Sequence, residues 1–249
     1  MRIAMLAAGS RGDYQPVLAV ARGLQARGHE VGVTATSDYV DLVEGAGVAV
    51  EEVPVDVMGY YRDHLLAHGM PVGLTDQIAF LGQVARAMAP AVRETLSGMW
   101  SRYDAVVTTA MSAAWPAMID RTRKPQVLMM FLPAIPSLWG DASLYAVRGG
   151  RSPANLLAGM RAMRASTALV TDVPGVTAAQ RRRAMAQIAT VPAFVANSPQ
   201  IVTPRRVGGR RIRCTGYPFL DVPEGTGLPV EVADFLEAGP EPVYAGLGS

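Results

Sequence analysis

The first 53 residues alternate between short apolar runs and amphipathic segments. This pattern restricts the possible folds more than any other feature of the chain. Apolar runs predict three strands, at residues 2–8, 31–36 and 48–53. Between the first two strands, apolar residues recur at helical spacing, with Pro16 suited to a first turn and Gly28 to the position after a helix. A short helix is predicted at 39–45. Because short loops join strand to helix throughout, we predict an α/β fold, a Rossmann-like doubly wound parallel sheet.

The same alternation continues to about residue 218, with two interruptions. We predict further strands at 104–109, 125–131, 193–196 and 212–215, and helices at 76–100, 111–122, 154–169 and 177–189. The interruptions are irregular regions at 56–74, which is expected to be partly helical, and at 132–152. Long irregular regions in compact domains are usually functional or disordered. The Met and aromatic content of the first suits either an adaptable apolar binding surface or a satellite core cluster, and both interpretations stay open.

Composition indicates an ordinary globular protein. The chain has 249 residues, of which half are hydrophobic, so it can bury a sizeable core. The single cysteine, Cys214, cannot form an internal disulfide, and a small buried residue is the more typical interpretation. No apolar run approaches the ~20 residues of a membrane-spanning helix. Arg11 and Asp13 interrupt the apolar start before it could serve as a secretory signal, so we predict a cytoplasmic location.

The arginines are unevenly distributed although the formal net charge is only +2. One cluster lies at 181–183 and another at 205–213. Such clusters can bind nucleic acid or an anionic membrane, or they can be a solvated helix face and a solvated loop. No aromatic residues alternate with these arginines, which disfavours stacking on nucleic-acid bases. We therefore predict no nucleic-acid partner and keep a peripheral membrane contact open.

The loop after the first strand, Gly9–Pro16, is the best candidate for a ligand site. Ligands of open parallel sheets bind beyond the carboxyl ends of the strands. Gly9 and Gly12 permit positive φ and a close approach of ligand to backbone. Asp13 falls in or beside the first helical turn, where the helix dipole stabilises a carboxylate. It can accept a proton from a hydroxyl as a general base, or it can simply cap the helix, and the residues alone leave both open.

The glycine spacing of this loop differs from that of a dinucleotide-binding loop. That fingerprint is G-x-G-x-x-G after the first strand, with an acidic residue ~20 residues further on. Here residues 8–13 read AGSRGD, and Asp38 after the second strand is a weak sign alone. The dinucleotide-binding domain of an oxidoreductase remains one alternative. A non-catalytic module that binds an apolar ligand is another.

The segment Gly9–Pro16 (GSRGDYQP) resembles the first-loop motif of bacterial natural-product, antibiotic, glycolipid and sterol-type glycosyltransferases of family 1 type, which have the GT-B fold. Further matches lie at 104–110 (DAVVTTA), 235–244 and 246–249. The resemblance implies the N-terminal, acceptor-binding half of an inverting two-domain enzyme. The missing C-terminal half would hold the donor substrate, a UDP- or dTDP-linked sugar, and neither a metal nor a cofactor is expected.

The resemblance also implies a domain boundary. Residues 1–218 would form the acceptor-binding domain, and 219–249 the linker and the truncated start of the donor-binding domain. A chain of this extent is expected to be inactive, or nearly so, alone. The Met, Trp and Tyr content of the two irregular regions favours a large apolar acceptor that carries a hydroxyl group, which includes a lipid.

Candidate site residues follow from the resemblance and from the positions of the loops. Asp13 matches the general base of the family, and Ser10 matches a position near the reacting groups. Candidate acceptor contacts lie in the first loop and in the two irregular regions: Gly9, Arg11, Gly12, Met58, Tyr60, Met70, Phe131, Pro133 and Trp139. Gly248 and Ser249 match the loop that approaches the donor phosphates.

Overall fold

Strands and helices alternate along the chain in the computed structural model, which describes residues 1–69, 74–119, 122–201, 206–207, 210–221 and 227–246. The strands are β1 (Arg2–Leu6), β2 (Glu30–Thr36), β3 (Ala49–Val53), β4 (Ala105–Thr108), β5 (Gln126–Met130), β6 (Ala193–Val195), β7 (Arg206–Val207), β8 (Arg210–Arg211) and β9 (Arg213–Cys214). The helices are α1 (Arg11–Gln25), α2 (Val40–Gly45), α3 (Val57–His68), α4 (Leu74–Met99), α5 (Pro153–Thr171), α6 (Ala178–Thr190) and α7 (Val230–Glu237). Over the described ranges, none of these helices has the length and apolar composition that crossing a bilayer requires.

Seven strands form one parallel sheet in the order β3-β2-β1-β4-β5-β6-β9. Strands β7 and β8 pair separately and antiparallel. In the centre of the sheet, Ile3 of β1 lies beside Val31 on one side and Ala105 on the other. The strand order reverses at β1, so the switch point of the sheet lies between β1 and β4. The predicted Rossmann-like doubly wound parallel sheet is therefore confirmed.

Helices cover both faces of the sheet, and β1 shows why its sequence is continuously apolar. Its alternate residues Ile3 and Met5 pack in the cluster that includes Val17 of α1. Leu6 points to the opposite face and packs in the cluster that includes Leu96 of α4. Because successive side chains of a strand point to opposite faces, a strand buried on both sides needs apolar residues throughout.

The predicted helix at 111–122 is wrong over the residues that the structure describes there. The chain instead makes turns and a single 3-10 helix, Trp115–Met118. The hydroxyl of Ser112 donates to the carbonyl of Leu6 and accepts the N–H of Thr109. Side-chain hydrogen bonds of this kind compete with helix formation, and Pro116 has no N–H to donate.

Two further segments differ from the predictions, and a third agrees with them. Helix α1 begins at Arg11, so Pro16 lies in its second turn and not in its first. The apolar run at 242–247 predicts a strand, but the described residues 242–246 have no regular structure. A strand forms only beside a partner that satisfies its backbone groups. The region 56–74 is partly helical as expected, since Asp56 caps helix α3 by accepting the N–H of Gly59 at 2.6 Å.

Two buried hydroxyls replace the backbone ladder at the carboxyl end of β1. The Oγ1 atom of Thr34, which is fully buried in β2, accepts the N–H of Ala7 at 2.8 Å and donates to the carbonyl of Ala7 at 2.9 Å. Ser112 satisfies the preceding carbonyl, that of Leu6, from the β4 side. The chain can therefore leave the sheet after Leu6 with its buried backbone groups satisfied, and the next loop starts from a fixed point.

Replacement of Thr34 by Val keeps the shape of the side chain but removes both hydrogen bonds to Ala7. The buried N–H and carbonyl would then lack partners, so we expect the free energy of unfolding to fall by about 2 kcal/mol. Urea denaturation followed by circular dichroism measures the loss. Thr190→Val is the matched control, because its hydroxyl is exposed and bonds only within α6. Equal stabilities for the two variants would contradict this role of Thr34.

Candidate functional site

The first loop opens at the carboxyl edge of the sheet, where β1 meets helix α1. Ser10 is the N-cap residue and has extended backbone angles, φ −90° and ψ 176°. Arg11 and Gly12 follow as the first two helical residues and are both exposed. The first N–H groups of a helix have no partner within the helix, so this end of α1 presents backbone donors beside the switch point of the sheet.

Asp13 is the third residue of α1, and its side chain caps the helix by reaching back to the N-cap residue Ser10. Its Oδ2 atom accepts the N–H of Ser10 at 2.8 Å and lies 3.3 Å from the Ser10 hydroxyl. The N–H of Asp13 in turn donates to the carbonyl of Ser10 at 2.9 Å. Among the described residues both side-chain contacts use Oδ2, which leaves Oδ1 of this half-buried carboxylate available to a hydroxyl from outside. The cap and a proton-accepting role are therefore compatible.

Gly9 allows this arrangement because no larger residue fits. Its φ is +124°, and a Cβ atom built there would lie 2.2 Å from Oδ2 of Asp13. Gly12 is different, which corrects the expectation for the second glycine. It has no positive φ, and a Cβ atom there would lie 3.6 Å from the Ser10 hydroxyl, an ordinary contact. Only Gly9 is thus required by backbone conformation and by space.

Tyr39 is a further candidate for this site, and the sequence analysis did not name it. Its ring stacks on Tyr14 with the centroids 4.4 Å apart. Burial raises the pKa of the Tyr39 hydroxyl, and the backbone N–H of Arg11 lowers it in part, while the charges of Asp38 and Asp13 raise it further. The hydroxyl therefore lies beside the start of α1. Its position directly after β2, the neighbour of β1, is the signal that could have identified it.

Tyr14, the other ring of this stacked pair, is held in place by its own contacts. It is fully buried, and its hydroxyl accepts the N–H of Thr36 at the end of β2 at 3.2 Å. Burial raises the pKa of the Tyr14 phenol, so it remains protonated at neutral pH and serves to position its neighbours. The ring stack with Tyr39 consequently connects α1 to the loop after β2.

The first group of predicted acceptor contacts lies on α3. Tyr60 stacks on Phe80 of α4 at 6.1 Å, and both belong to a small apolar cluster with Val57 and Val84. The satellite-cluster interpretation is therefore correct for Tyr60. Met58 differs, since 41% of its surface is exposed. Met70 lies outside the described residues.

The start of α3 is held in place by two neighbouring carboxylates. Asp38 accepts the N–H of Val57 at 2.8 Å and of Met58 at 3.2 Å. Burial raises the pKa of Asp38, and its hydrogen bond with Asp56 raises it further, while the same bond lowers the pKa of Asp56. Asp38 thus ties the loop after β2 to the helix that carries Met58, a structural role and not that of a ribose-binding acid.

The second group of predicted acceptor contacts lies in the chain that follows β5. Phe131 is half-buried and packs against the α1-side core, and its carbonyl accepts an N–H from Asn197 at 3.0 Å. Pro133 is buried, and its carbonyl accepts the N–H of Leu144 at 3.0 Å. Trp139 is half-buried and forms an isolated antiparallel bridge with Arg151. Gly248 and Ser249 lie outside the described residues.

The sheet order places these groups along one edge but does not bring them into contact. The loop with Asp13 follows β1, the Met58 helix follows β3, and Phe131 follows β5. One strand separates each outer group from β1, and neighbouring strands lie about 4.8 Å apart. Each outer strand end is therefore about 10 Å from the end of β1, and the two outer ends are about 19 Å apart, a distance that a molecule of several rings can span.

Comparison with known families decides how this edge should be interpreted. Residues 3–127 match the glycosyltransferase family 28 N-terminal domain. The match covers half of the chain and includes β1, the first loop, α3 and β4. The chain belongs to this glycosyltransferase family. Membership confirms the suspected resemblance and favours sugar transfer over the dinucleotide-binding alternative.

Two curated relatives show how much of a longer protein this chain matches. A sterol 3-beta-glucosyltransferase from Arabidopsis thaliana is 24% identical over 274 residues, which cover 100% of this chain and 41% of that protein. An O-mycaminosyltylonolide 6-deoxyallosyltransferase from Streptomyces fradiae is 49% identical over 61 residues, 24% of this chain and 14% of that protein. The chain therefore spans less than half the length of these relatives.

A solved structure supports the fold. The glycosyltransferase of kitacinnamycin superposes with a TM-score of 0.50 at 18% identity, over 91% of this chain and 53% of that chain. At this identity the likeness concerns the architecture alone. It agrees with the N-terminal Rossmann-like half of a GT-B fold, and this chain aligns with about half of that solved chain.

Substitution of Gly9 by Ala tests the close packing of the first loop. The new methyl group would overlap the Asp13 carboxylate in a backbone conformation that disfavours side chains, so we expect a loss of about 2 kcal/mol or more in unfolding free energy. Gly28→Ala is the matched control, because its φ is +80° with no atom within 4 Å of the added Cβ. That variant should lose about 1 kcal/mol. Equal losses in chemical denaturation would show that Asp13 exerts no steric constraint on Gly9.

Proposed function

We propose that this chain is the acceptor-binding half of an inverting glycosyltransferase, in which Asp13 is the general base. The observation that carries the proposal is the carboxylate of Asp13 at the switch point of the sheet, with Oδ2 held by Ser10 and Oδ1 available. Membership of the family 28 domain supplies the reaction class. The donor is a sugar nucleotide, UDP- or dTDP-linked, bound by a second domain.

The proposed reaction needs one proton acceptor on this half. As the acceptor hydroxyl attacks C1 of the sugar, its proton passes to Oδ1 of Asp13 and the new C–O bond forms. The bond from C1 to the nucleoside diphosphate breaks, and its electron pair leaves with the phosphate, which inverts C1. Ser10 holds the carboxylate in one orientation through Oδ2. A base positioned in this way typically contributes 10²–10⁴-fold to the rate.

The acceptor is proposed to be an apolar molecule that carries a hydroxyl group. The exposed side chain of Met58 and the half-buried rings of Phe131 and Trp139 support this chemistry on either side of the first loop. Thioether and aromatic groups suit irregular apolar ligands. The substrates for which the two relatives are named agree in kind, since one is a sterol and the other is O-mycaminosyltylonolide.

The segment 219–249 is proposed to be the linker and the first part of a donor-binding domain. The greater length of the relatives supports this assignment. So does helix α7, which exposes 72% of Val230 and 65% of Phe235. Val243 and Tyr244 beyond it are more than 90% exposed. Large apolar side chains in such number on one segment are typical of a surface that another domain covers.

Asp13→Asn tests the general base in a two-domain protein that joins this chain to a donor-binding domain. Asn preserves the acceptor for the Ser10 N–H but cannot take up a proton, so we expect turnover to fall by about two orders of magnitude with a small change in stability. Asp41→Asn is the matched control, because Asp41 is an exposed acid in the first turn of α2. Normal turnover of the Asp13 variant would limit this residue to capping.

Calorimetric titration of the 249-residue chain tests where the donor binds. We expect the folded chain to bind neither UDP-glucose nor dTDP-glucose tightly and to show no turnover, because the proposed donor contacts belong mainly to the second domain. Tight binding of a sugar nucleotide would overturn this assignment. Tight binding of NAD would instead support the oxidoreductase alternative.

A further inference from the structure

Two of the three histidines of the chain lie one turn apart at the end of helix α3. His64 and His68 have the i, i+4 spacing that places two side chains on the same helix face. Their rings are stacked, with the centroids 4.6 Å apart and the planes inclined by 23°. His64 is half-buried and His68 is exposed. The fold therefore holds two imidazoles side by side at the protein surface.

Contacts within α3 and with α4 orient both rings. Nδ1 of His68 lies 3.3 Å from the carbonyl oxygen of His64. Because a carbonyl oxygen only accepts hydrogen bonds, the neutral His68 ring carries its proton on Nδ1, and the lone pair of Nε2 is available to a ligand. The His64 ring packs on Phe80 of α4, with the centroids 4.2 Å apart. A histidine that binds a metal is commonly oriented in this way, by a hydrogen bond from its other ring nitrogen to a backbone carbonyl.

The end of α3 also favours a cation electrostatically. His68 is the last residue of the helix, and the carboxyl end of a helix carries a partial negative charge. The N–H of Gly69 donates to the carbonyl of Leu65 at 2.9 Å, which fixes the last turn. The charged side chains that precede His64, Arg62 and Asp63, form an ion pair with each other at 3.4 Å. They therefore add no net positive charge that would oppose a cation.

We propose that His64 and His68 together bind one divalent transition-metal ion of the class that prefers imidazole ligands, Zn²⁺, Ni²⁺ or Cu²⁺, with water in the other positions. Mg²⁺ and Ca²⁺ do not fit, because they take oxygen ligands. Each nitrogen lies about 2.0–2.1 Å from such an ion, so a small tilt of the exposed His68 ring brings both nitrogens within reach. The ion links the last turn of the helix whose first turn carries Met58. The inference goes beyond the proposed sugar transfer and does not depend on it.

Calorimetric titration of the 249-residue chain, prepared without a histidine tag, tests the site. We expect Ni²⁺ to bind at one ion per chain and Mg²⁺ to give no binding heat, because the ligands are nitrogens. His68→Gln and His64→Gln should each lower the Ni²⁺ affinity about tenfold or more, since one of two ligands is lost. His29→Gln is the matched control, because it removes the third histidine, which lies between α1 and β2, and it should retain the affinity.

Thermal denaturation gives a second readout. Ni²⁺ at one hundred times its Kd should raise the Tm of the unsubstituted chain by about 5 °C, and the Tm of the His68→Gln variant much less. His68 is exposed, so this variant keeps the packing on Phe80 and decides the result even where His64→Gln unfolds. Absence of Ni²⁺ binding overturns the proposal. So does undiminished affinity in the His68 variant, an equal loss in the His29 variant, or Mg²⁺ binding as strong as that of Ni²⁺.

Discussion

The exchange of hydrogen bonds between Thr34 and Ala7, together with the contact of Ser112 with Leu6, determines how the central strand ends. A central strand of a parallel sheet cannot end in the interior with unsatisfied backbone groups, because each one would cost about 1–3 kcal/mol. Here two buried hydroxyls satisfy the backbone groups of Leu6 and Ala7. Thr34 bonds from the β2 side and Ser112 from the β4 side. The loop that carries Asp13 therefore leaves the sheet at a defined residue and in a defined direction.

The geometry of the first loop follows from that starting point. Gly9 makes the turn at a φ that other residues avoid, and the space above it is filled by the Asp13 carboxylate. The carboxylate reaches back to the amide of Ser10 and stabilises the start of α1. Oδ2 makes both of these contacts with Ser10, and Oδ1 makes neither. A residue can thus cap a helix and accept a proton because its two oxygens serve the two roles separately.

The two sides of the domain differ in their electrostatic character. On the side of β2 and β3, carboxylates organise the chain locally, as where Asp38 and Asp56 hold the first turn of α3. On the side of β5 and β6, arginines accumulate almost without counter-charges. A buried amide, Asn155, organises the loop there. The first loop with Asp13 lies between these two sides, at the carboxyl end of β1.

The sequence by itself determined the alternation of strands and helices, the parallel sheet and the site-bearing first loop, because apolar periodicity and turn residues act locally and are visible in any short window. It also indicated both possible roles of Asp13. It failed at Met111–Ile119, where a helical composition is overridden by the contacts of Ser112 with residues that are distant in sequence. Tyr39 was not predicted for the same reason, because it comes close to Asp13 only when β2 pairs with β1. Tertiary structure alone decided which glycine of the first loop is indispensable and which tyrosines are packed, because these properties depend on distances between separate elements and not on the order of residues.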